Sequence, residues 1–469
     1  MNIPLTKKAY LVDGERSINL YPVFNAARKV YEFLNCEGFE QFATLSGAAI
    51  RGMWVPTNDE TKMIVVAGNK IYKVLTDGTK TENAITLDTS SGLVEMSDNG
   101  TQVMVTDGTY GYTYTLATDV FAKIGDADFP GGGSNTFLDG YTIVCKPNSQ
   151  QVNSSDAYDS TAWNALNYAS AEGVPDNLQR CIEYNQKLCF FGIISIEVFF
   201  NDGGSGFSFS RLDGAVVGFG LAAKNSLSKN DQALYFLARS TAPQGERVIV
   251  EARGLTPKII STQGINELLA TLTNTADAEG FAYMREGHSM YEITFPIDNI
   301  TLVYDAKEGM WHERKSLDAN GNEIRHRARC YAYFNGFHMV GDFETGNIYK
   351  LKADVYTENG RMIRRKLITP EATDQTNNNR FIIPKVIVPM KTGVGLANGQ
   401  GSDPQLMFRY SKDGGNTWSN EKQTSFGKLG EYNKIVKFGP LGQMRRINCE
   451  LSVSDPVEVK FEGPLIIPK

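Results

Sequence analysis

The chain has 469 residues, 41% hydrophobic and 21% charged, with 45 Gly, 17 Pro and a net charge of −6 at pH 7. That length exceeds one ordinary domain, and the Gly and Pro content favours tight turns over long helices. No window approaches the ~20 apolar residues of a membrane span, and a weakly acidic chain is not the usual sequence-independent DNA binder.

The opening stretch, MNIPLTKKAYLVDGE, lacks the apolar core of a signal peptide, which sets the expectation of a protein made in a cytoplasm. Residues 1–42 read as an N-terminal arm or entry strand. From 43 to 370, short β-type runs recur between Gly- and Asn-bearing turns. Ile50–Val55, Met63–Ala67 and Lys70–Leu75 come first, then Val94–Met96, Gln102–Thr106 and Tyr110–Thr115. Tyr141–Cys145, Lys187–Phe191, Ile196–Phe200 and Phe207–Ser210 follow, separated by Asp-Gly, Asn-Gln and Gly-Gly turns. Further groups run through Ala233–Ala238, Arg247–Ala252, Ser289–Phe295, Cys330–Phe334 and Asn347–Leu351. About seven groups of short strands, one per ~45 residues, are the sequence sign of a β-propeller. The expected fold is therefore all-β, a propeller of about six to eight blades with seven favoured.

Two helices interrupt this pattern. Ile265, Leu268, Leu269 and Leu272 repeat at helical spacing behind Ser261 and Thr262, either of which can cap the helix. A second short helix is expected over Ser160–Ala169. Residues 371–380 (EATDQTNNNR) read as a polar linker. Residues 381–469 then read as a separate β-sandwich-like domain.

Few motifs carry chemistry. Ser411, Asp413, Gly415 and Trp418 belong to SKDGGNTW, a full match to the Asp box. In that turn an Asp ties back to loop amides, the glycines take positive φ and the Trp packs beneath. Its role is fold-stabilising, although it also raises the alternative of a carbohydrate-binding or sialidase-like propeller. A sialidase would need three arginines on a substrate carboxylate, and Arg51, Arg211, Arg253, Arg325, Arg327 and Arg329 stand in no such setting. The four histidines, 288, 312, 326 and 338, lack metal-site spacing. Asp156, Asp159 and Asp176 read as solvated loop residues rather than a Ca²⁺ site. The six cysteines are scattered without a CxxC pair, as buried free thiols. No cofactor, metal or catalytic residue is expected, and the chain is not expected to be an enzyme.

Two basic clusters stand out: Arg325, Arg327 and Arg329, and Arg361, Arg364 and Arg365. Three readings fit them: a solvated strand face, an interface with acidic partners or neighbouring subunits, or contact with DNA phosphates.

The order of several turn and packing motifs resembles one family. Arg16-Ser17-Ile18-Asn19-Leu20-Tyr21-Pro22 looks like its R-x-x-N-x-Y-P element, and Ser46–Met53 like the next. Gly192–Val198 resembles its G-x-x-T-I-E strand, with Ser195 and Val198 departing from the usual Thr and aromatic. Asp159–Ser170, Pro175-Asp176, Gly214, Gly218, Gly220 and Ile260–Thr262 continue the likeness, which covers roughly residues 12–370 and weakens beyond. The family is that of the tail hub, or nozzle, proteins of short-tailed bacteriophages, also called packaged-DNA stabilisation proteins. The resemblance implies a structural virion protein, assembled in the host cytoplasm as a homohexameric ring below the portal–adaptor. It implies a DNA channel that duplex traverses without sequence-specific binding, retention of the packaged genome until ejection, and docking of tailspikes or fibres and of a needle or plug.

Overall fold

The structure, a computed structural model, describes residues 2–3, 16–230, 233–240, 246–254, 256–373 and 379–467. Seven antiparallel sheets stand around one axis, each a meander from an innermost strand outward. Blade one is Ile50–Trp54, Lys62–Ala67, Lys70–Leu75 and Lys80–Thr86; blade two runs from Glu95–Asp98 to Val120–Lys123. Blades three and four start at Ser134–Leu138 and Arg180–Tyr184 and end at Asp159–Ser170 and Phe209–Val217. Blade five pairs Ser228–Lys229 and Phe219–Leu221 with Leu234–Ser240, followed by Arg247–Arg253 and Thr256–Ile259. Blade six spans Glu279–Arg285 to Met310–Glu313, and blade seven Ala328–Phe334, Phe337–Asp342 and Asn347–Lys352.

A blade buries both faces, so its middle strands read as continuous apolar runs rather than alternating ones. Lys62–Ala67 (KMIVVA) shows the logic. Met63, Val65 and Ala67 enter the core shared with blade seven, while Ile64 and Val66 enter the core shared with blade two. The same division recurs at every neighbouring pair of blades, which gives one hydrophobic core per junction around the ring.

Closure comes from the start of the chain. Gly38–Thr44 adds to blade seven as its outer strand, antiparallel to Asn347–Lys352. The joint is tight: Leu45 N donates to Gly346 O at 2.7 Å, and a Cβ at Gly346 would lie 1.6 Å from Ser46 O.

The second domain is a β-sandwich whose first strand is also N-terminal. Arg16–Ile18 pairs parallel to blade six at Glu313 and antiparallel to Arg365–Ile368, which continues through Arg446–Val453 and Gln405–Ser411 to Lys422–Ser425. Leu20–Asn25 and Val30–Asn35 form a hairpin joined by Lys460–Phe461, and Leu20 and Phe33 enter the sandwich core beside Leu367, Phe408 and Leu451.

These placements correct three boundaries. Among the described residues 1–42 is no separate arm, because Arg16–Asn35 belongs to the sandwich and Gly38–Thr44 to blade seven. The C-terminal part of the sandwich begins at Arg365 rather than 381, ahead of the expected linker. Within that linker Ala372–Thr373 pairs with Arg446 and Ile447, and residues 374–378 lie outside the described residues.

The helix over Gln263–Thr271 forms as expected, with Thr262 as N-cap accepting from Ile265 N at 3.4 Å. Ile265 and Leu269 fill the core between blades five and six. The helix expected over Ser160–Ala169 is instead the outer strand of blade three, paired with Gln151–Asp156 through two register shifts.

Candidate functional site: the propeller axis and the buried arginines

The innermost strands of all seven blades line an axial cavity of about 340 Å³, among them Trp54, Met96, Arg180, Lys229, Phe281 and Arg329. At ~30 Å³ per water molecule that space holds on the order of ten waters. Its charges are paired internally. Glu95 meets Arg180 and Lys224 at 3.4 Å each and accepts from Ser134 Oγ at 2.5 Å. Burial pushes the Glu95 carboxyl up, but the two cations prevail and hold it below its ordinary value. Lys229 is paired with Glu183 at 2.6 Å.

Arg51, in the wall of this cavity, is buried from outside solvent and donates to the carbonyls of Gly68, Thr89, Ser91 and Gly92 and to Thr89 Oγ1. Burial lowers its pKa to about 10, so the guanidinium stays charged and ties the turns of blade one to the approach of blade two.

Four of the six candidate interface arginines, Arg325, Arg327, Arg329 and Arg365, lie in internal pairings. Arg329 grips Glu279 with two nitrogens at 2.6 and 3.0 Å, and Arg325 approaches the same carboxylate at 3.8 Å while stacking on Phe343. Arg327 is buried between Glu344 at 2.8 Å and Asp342 at 3.8 Å. Arg365, also buried, donates to the carbonyls of Tyr356 and Asp455, and burial lowers its pKa to about 10. Arg364 is half-buried and 3.7 Å from Glu323; Arg361 alone is exposed. The planar fork of arginine suits buried carboxylates and carbonyls, which is why these positions weld blades and domains instead of facing outward.

Sequence reasoning missed a buried charge network at the seam between propeller and sandwich. Arg314 donates to Glu37 O at 2.9 Å and lies 3.1 Å from its carboxylate, which Arg285 also contacts. His326 Nδ1 meets Glu292 at 2.6 Å, and Ser316 donates to buried Glu358 at 2.9 Å. These partners are separated by tens to hundreds of positions, and no local pattern announces them.

The other candidates disperse. The Asp-box turn is built as the motif demands. Ser411 Oγ donates to Asp413 at 2.6 Å and accepts from Gly415 N at 2.8 Å, while Asp413 accepts from Thr417 N and Oγ1 at 2.9 and 2.6 Å. These hydrogen bonds, from Ser411 first, hold the Asp413 carboxyl down at about 2. Gly414 and Gly415 take φ of 76° and 92°, and Trp418 lies under the Arg409 guanidinium, 5.3 Å from ring centre. Arg211 and Arg253 pair separately with Glu197 and Glu251. Asp176 accepts from Ile194 N and Ser195 N, and Asp159 from Thr161. Among the described residues no group of three His, Cys, Asp or Glu side chains is placed to hold a metal, no disulfide forms, and no helix is long and apolar enough to cross a membrane.

Charged side chains here join blade to blade and propeller to sandwich, and the class so defined is a seven-bladed β-propeller welded to a β-sandwich. Residues 13–356 match the family described as bacteriophage P22 Gp10, β-propeller, and residues 364–463 its companion, bacteriophage P22 Gp10, β-sandwich. The chain belongs to this family of phage packaged-DNA stabilisation proteins.

No curated protein matches the chain in sequence. Solved propellers resemble it loosely. Virginiamycin B lyase from Staphylococcus aureus is 14% identical with a TM-score of 0.42, covering 66% of this chain and 97% of its own. The Neurospora crassa Pan2 WD40 domain is 7% identical at 0.45, covering 67% and 95%. YCF48 from Cyanidioschyzon merolae is 11% identical at 0.44, covering 67% and 98%. The family assignment stands on the two domain matches alone.

Proposed function

We propose that the chain is the tail hub, or nozzle, of a short-tailed phage. It forms a homohexameric ring below the portal–adaptor, extends the DNA channel and retains the packaged genome until ejection. The observation that carries the reading is the consecutive match of both domains to a phage packaged-DNA stabilisation family. Physical features support it. Close-packed blade cores are weakly compressible, as a part bearing genome pressure requires. The axial cavity, with room for about ten waters, is far too small for duplex DNA, so a channel has to run between copies rather than through one. A head-to-tail ring closes only at a fixed rotation.

Exposed apolar side chains offer contact surfaces for neighbours, tailspikes or fibres, and a needle or plug. Tyr158, Leu166 and Tyr168 mark the outer edge of blade three, and Leu429, Tyr432 and Ile435 one loop of the sandwich. The protein acts by assembly and not by catalysis.

Native mass of the purified protein, alone and mixed with its matching portal–adaptor complex, tests this reading. A free monomer that adds as about six copies supports the hub. No addition to an active portal–adaptor complex sinks it.

A further inference from the structure

A second cavity, of about 520 Å³, opens between Lys229 of blade five, Tyr283–Glu286 of blade six and Tyr333 and His338 of blade seven, sharing Lys229, Ala282 and Tyr331 with the axial cavity. Its wall is aromatic. Tyr331 and His338 stack at 5.8 Å with 27° between their planes, and Tyr331 Oη and His338 Nδ1 are hydrogen-bonded at 2.9 Å. Tyr283 backs both rings, at 5.6 Å from Tyr331 and 5.8 Å from His338. Tyr333 stands edge-on to His338 at 5.3 Å with 57% of its surface exposed, a large flat ring left bare beside a concave space.

The charges around this wall select among ligands. Lys229 is held by Glu183 at 2.6 Å, and Arg285 by Glu37 and, at 3.6 Å, by Glu286. Burial and then the Arg285 charge push His338 down, so its ring is a neutral imidazole. The cations are therefore matched by carboxylates, which disfavours a phosphate-bearing ligand, and the adjoining guanidinium disfavours an ammonium. What remains is the bare, uncharged Tyr333 ring set at an angle to the Tyr331–His338 stack, with the Glu286 carboxylate and the Lys229 ammonium beside it. The volume falls within the ~300–1,000 Å³ of small-molecule sites.

We infer that this cavity between blades five, six and seven binds a neutral saccharide, one apolar sugar face against the bare Tyr333 ring, an edge of the sugar towards His338 and the hydroxyls on the charged rim. The site stands apart from the ring reading, and its loss would leave that reading intact.

Saturation-transfer NMR of the full chain tests it, against a panel of neutral hexose, deoxyhexose and N-acetylhexosamine oligosaccharides, with AMP as a charged aromatic comparator. Transfer to at least one sugar is expected, and Tyr333→Ala should weaken it about tenfold, the worth of one lost aromatic contact. Tyr333→Trp, which keeps a flat ring, should retain binding, as should Ile259→Ala on the outer strand of blade five. Tyr333 is exposed, so its replacement leaves the fold intact, which circular dichroism checks. Absence of transfer from every sugar at millimolar concentration, transfer undiminished in Tyr333→Ala, or transfer from AMP alone overturns the proposal.

Discussion

His312 shows what burial does to one titratable group in this fold. It sits on the outer strand of blade six, with the Tyr21 ring 6.4 Å away, and its Nδ1 finds no partner among the described residues. Burial first, then the charges of Arg314 and His326, lower its pKa to about 3 from 6.5. Below pH 6.5 the unfolded chain takes up a proton on this imidazole while the folded chain does not. Stability therefore decreases as pH is lowered from about 6.5 towards 3, by up to about 1.4 kcal/mol per unit from this group. His312→Phe conserves volume and removes the proton. Urea unfolding of both proteins between pH 7 and about 4 should show a shallower decline in the variant. A stability difference between the two that stays constant with pH would refute the assignment.

At the scale of elements, the N-terminal strand is the stitch between domains, and Asn19 is its knot. With φ of 56° it turns the chain from one sheet into the next, and its amide reaches three backbone groups. It donates to Lys315 O at 2.9 Å and Arg364 O at 2.8 Å and accepts from Lys315 N at 3.0 Å. Beside it Arg16 clasps buried Glu313 at 2.6 and 2.8 Å. Asn19→Gly keeps the turn and strips these bonds, which should cost about 2–4 kcal/mol. Calorimetry should then show two unfolding transitions, sandwich and propeller, where the parent shows one; a single transition at the parent midpoint would refute the stitch. The R-x-x-N-x-Y-P element was visible in the sequence, yet its partners lie some three hundred positions away. The same limit explains the arginines. Arg327 and Arg329 look like a surface charge run because nothing nearby in sequence names Glu344 or Glu279 as their counterions. Turn-bounded strands, the Thr262 cap and the Asp-box turn were legible because each is a local pattern with a local cause. Ser160–Ala169 misled for the opposite reason: its Ala, Leu and Asn favour no strand, and pairing along blade three overrode propensity.

For the whole molecule, the disposition of charge decides how it would meet DNA. A phosphate backbone is gripped by lysines and arginines free to displace condensed counterions. Here the chain carries −6 overall, and four arginines of the two basic clusters are spent inside: Arg325 and Arg329 on Glu279, Arg327 on Glu344, Arg365 on backbone carbonyls. Arg361 is left exposed and Arg364 half-exposed. In the proposed ring, such subunits would give duplex a wall along which it slides rather than one to which it adheres, as the proposed nozzle role would require. The isolated protein should accordingly bind a labelled duplex more weakly than about 10⁻⁴ M at physiological salt, the weak end of non-specific binding. Fluorescence anisotropy across a salt series measures this directly. Micromolar affinity with a steep salt slope would mean that several cations reach phosphates, and the sliding-wall account of the channel would have to be abandoned.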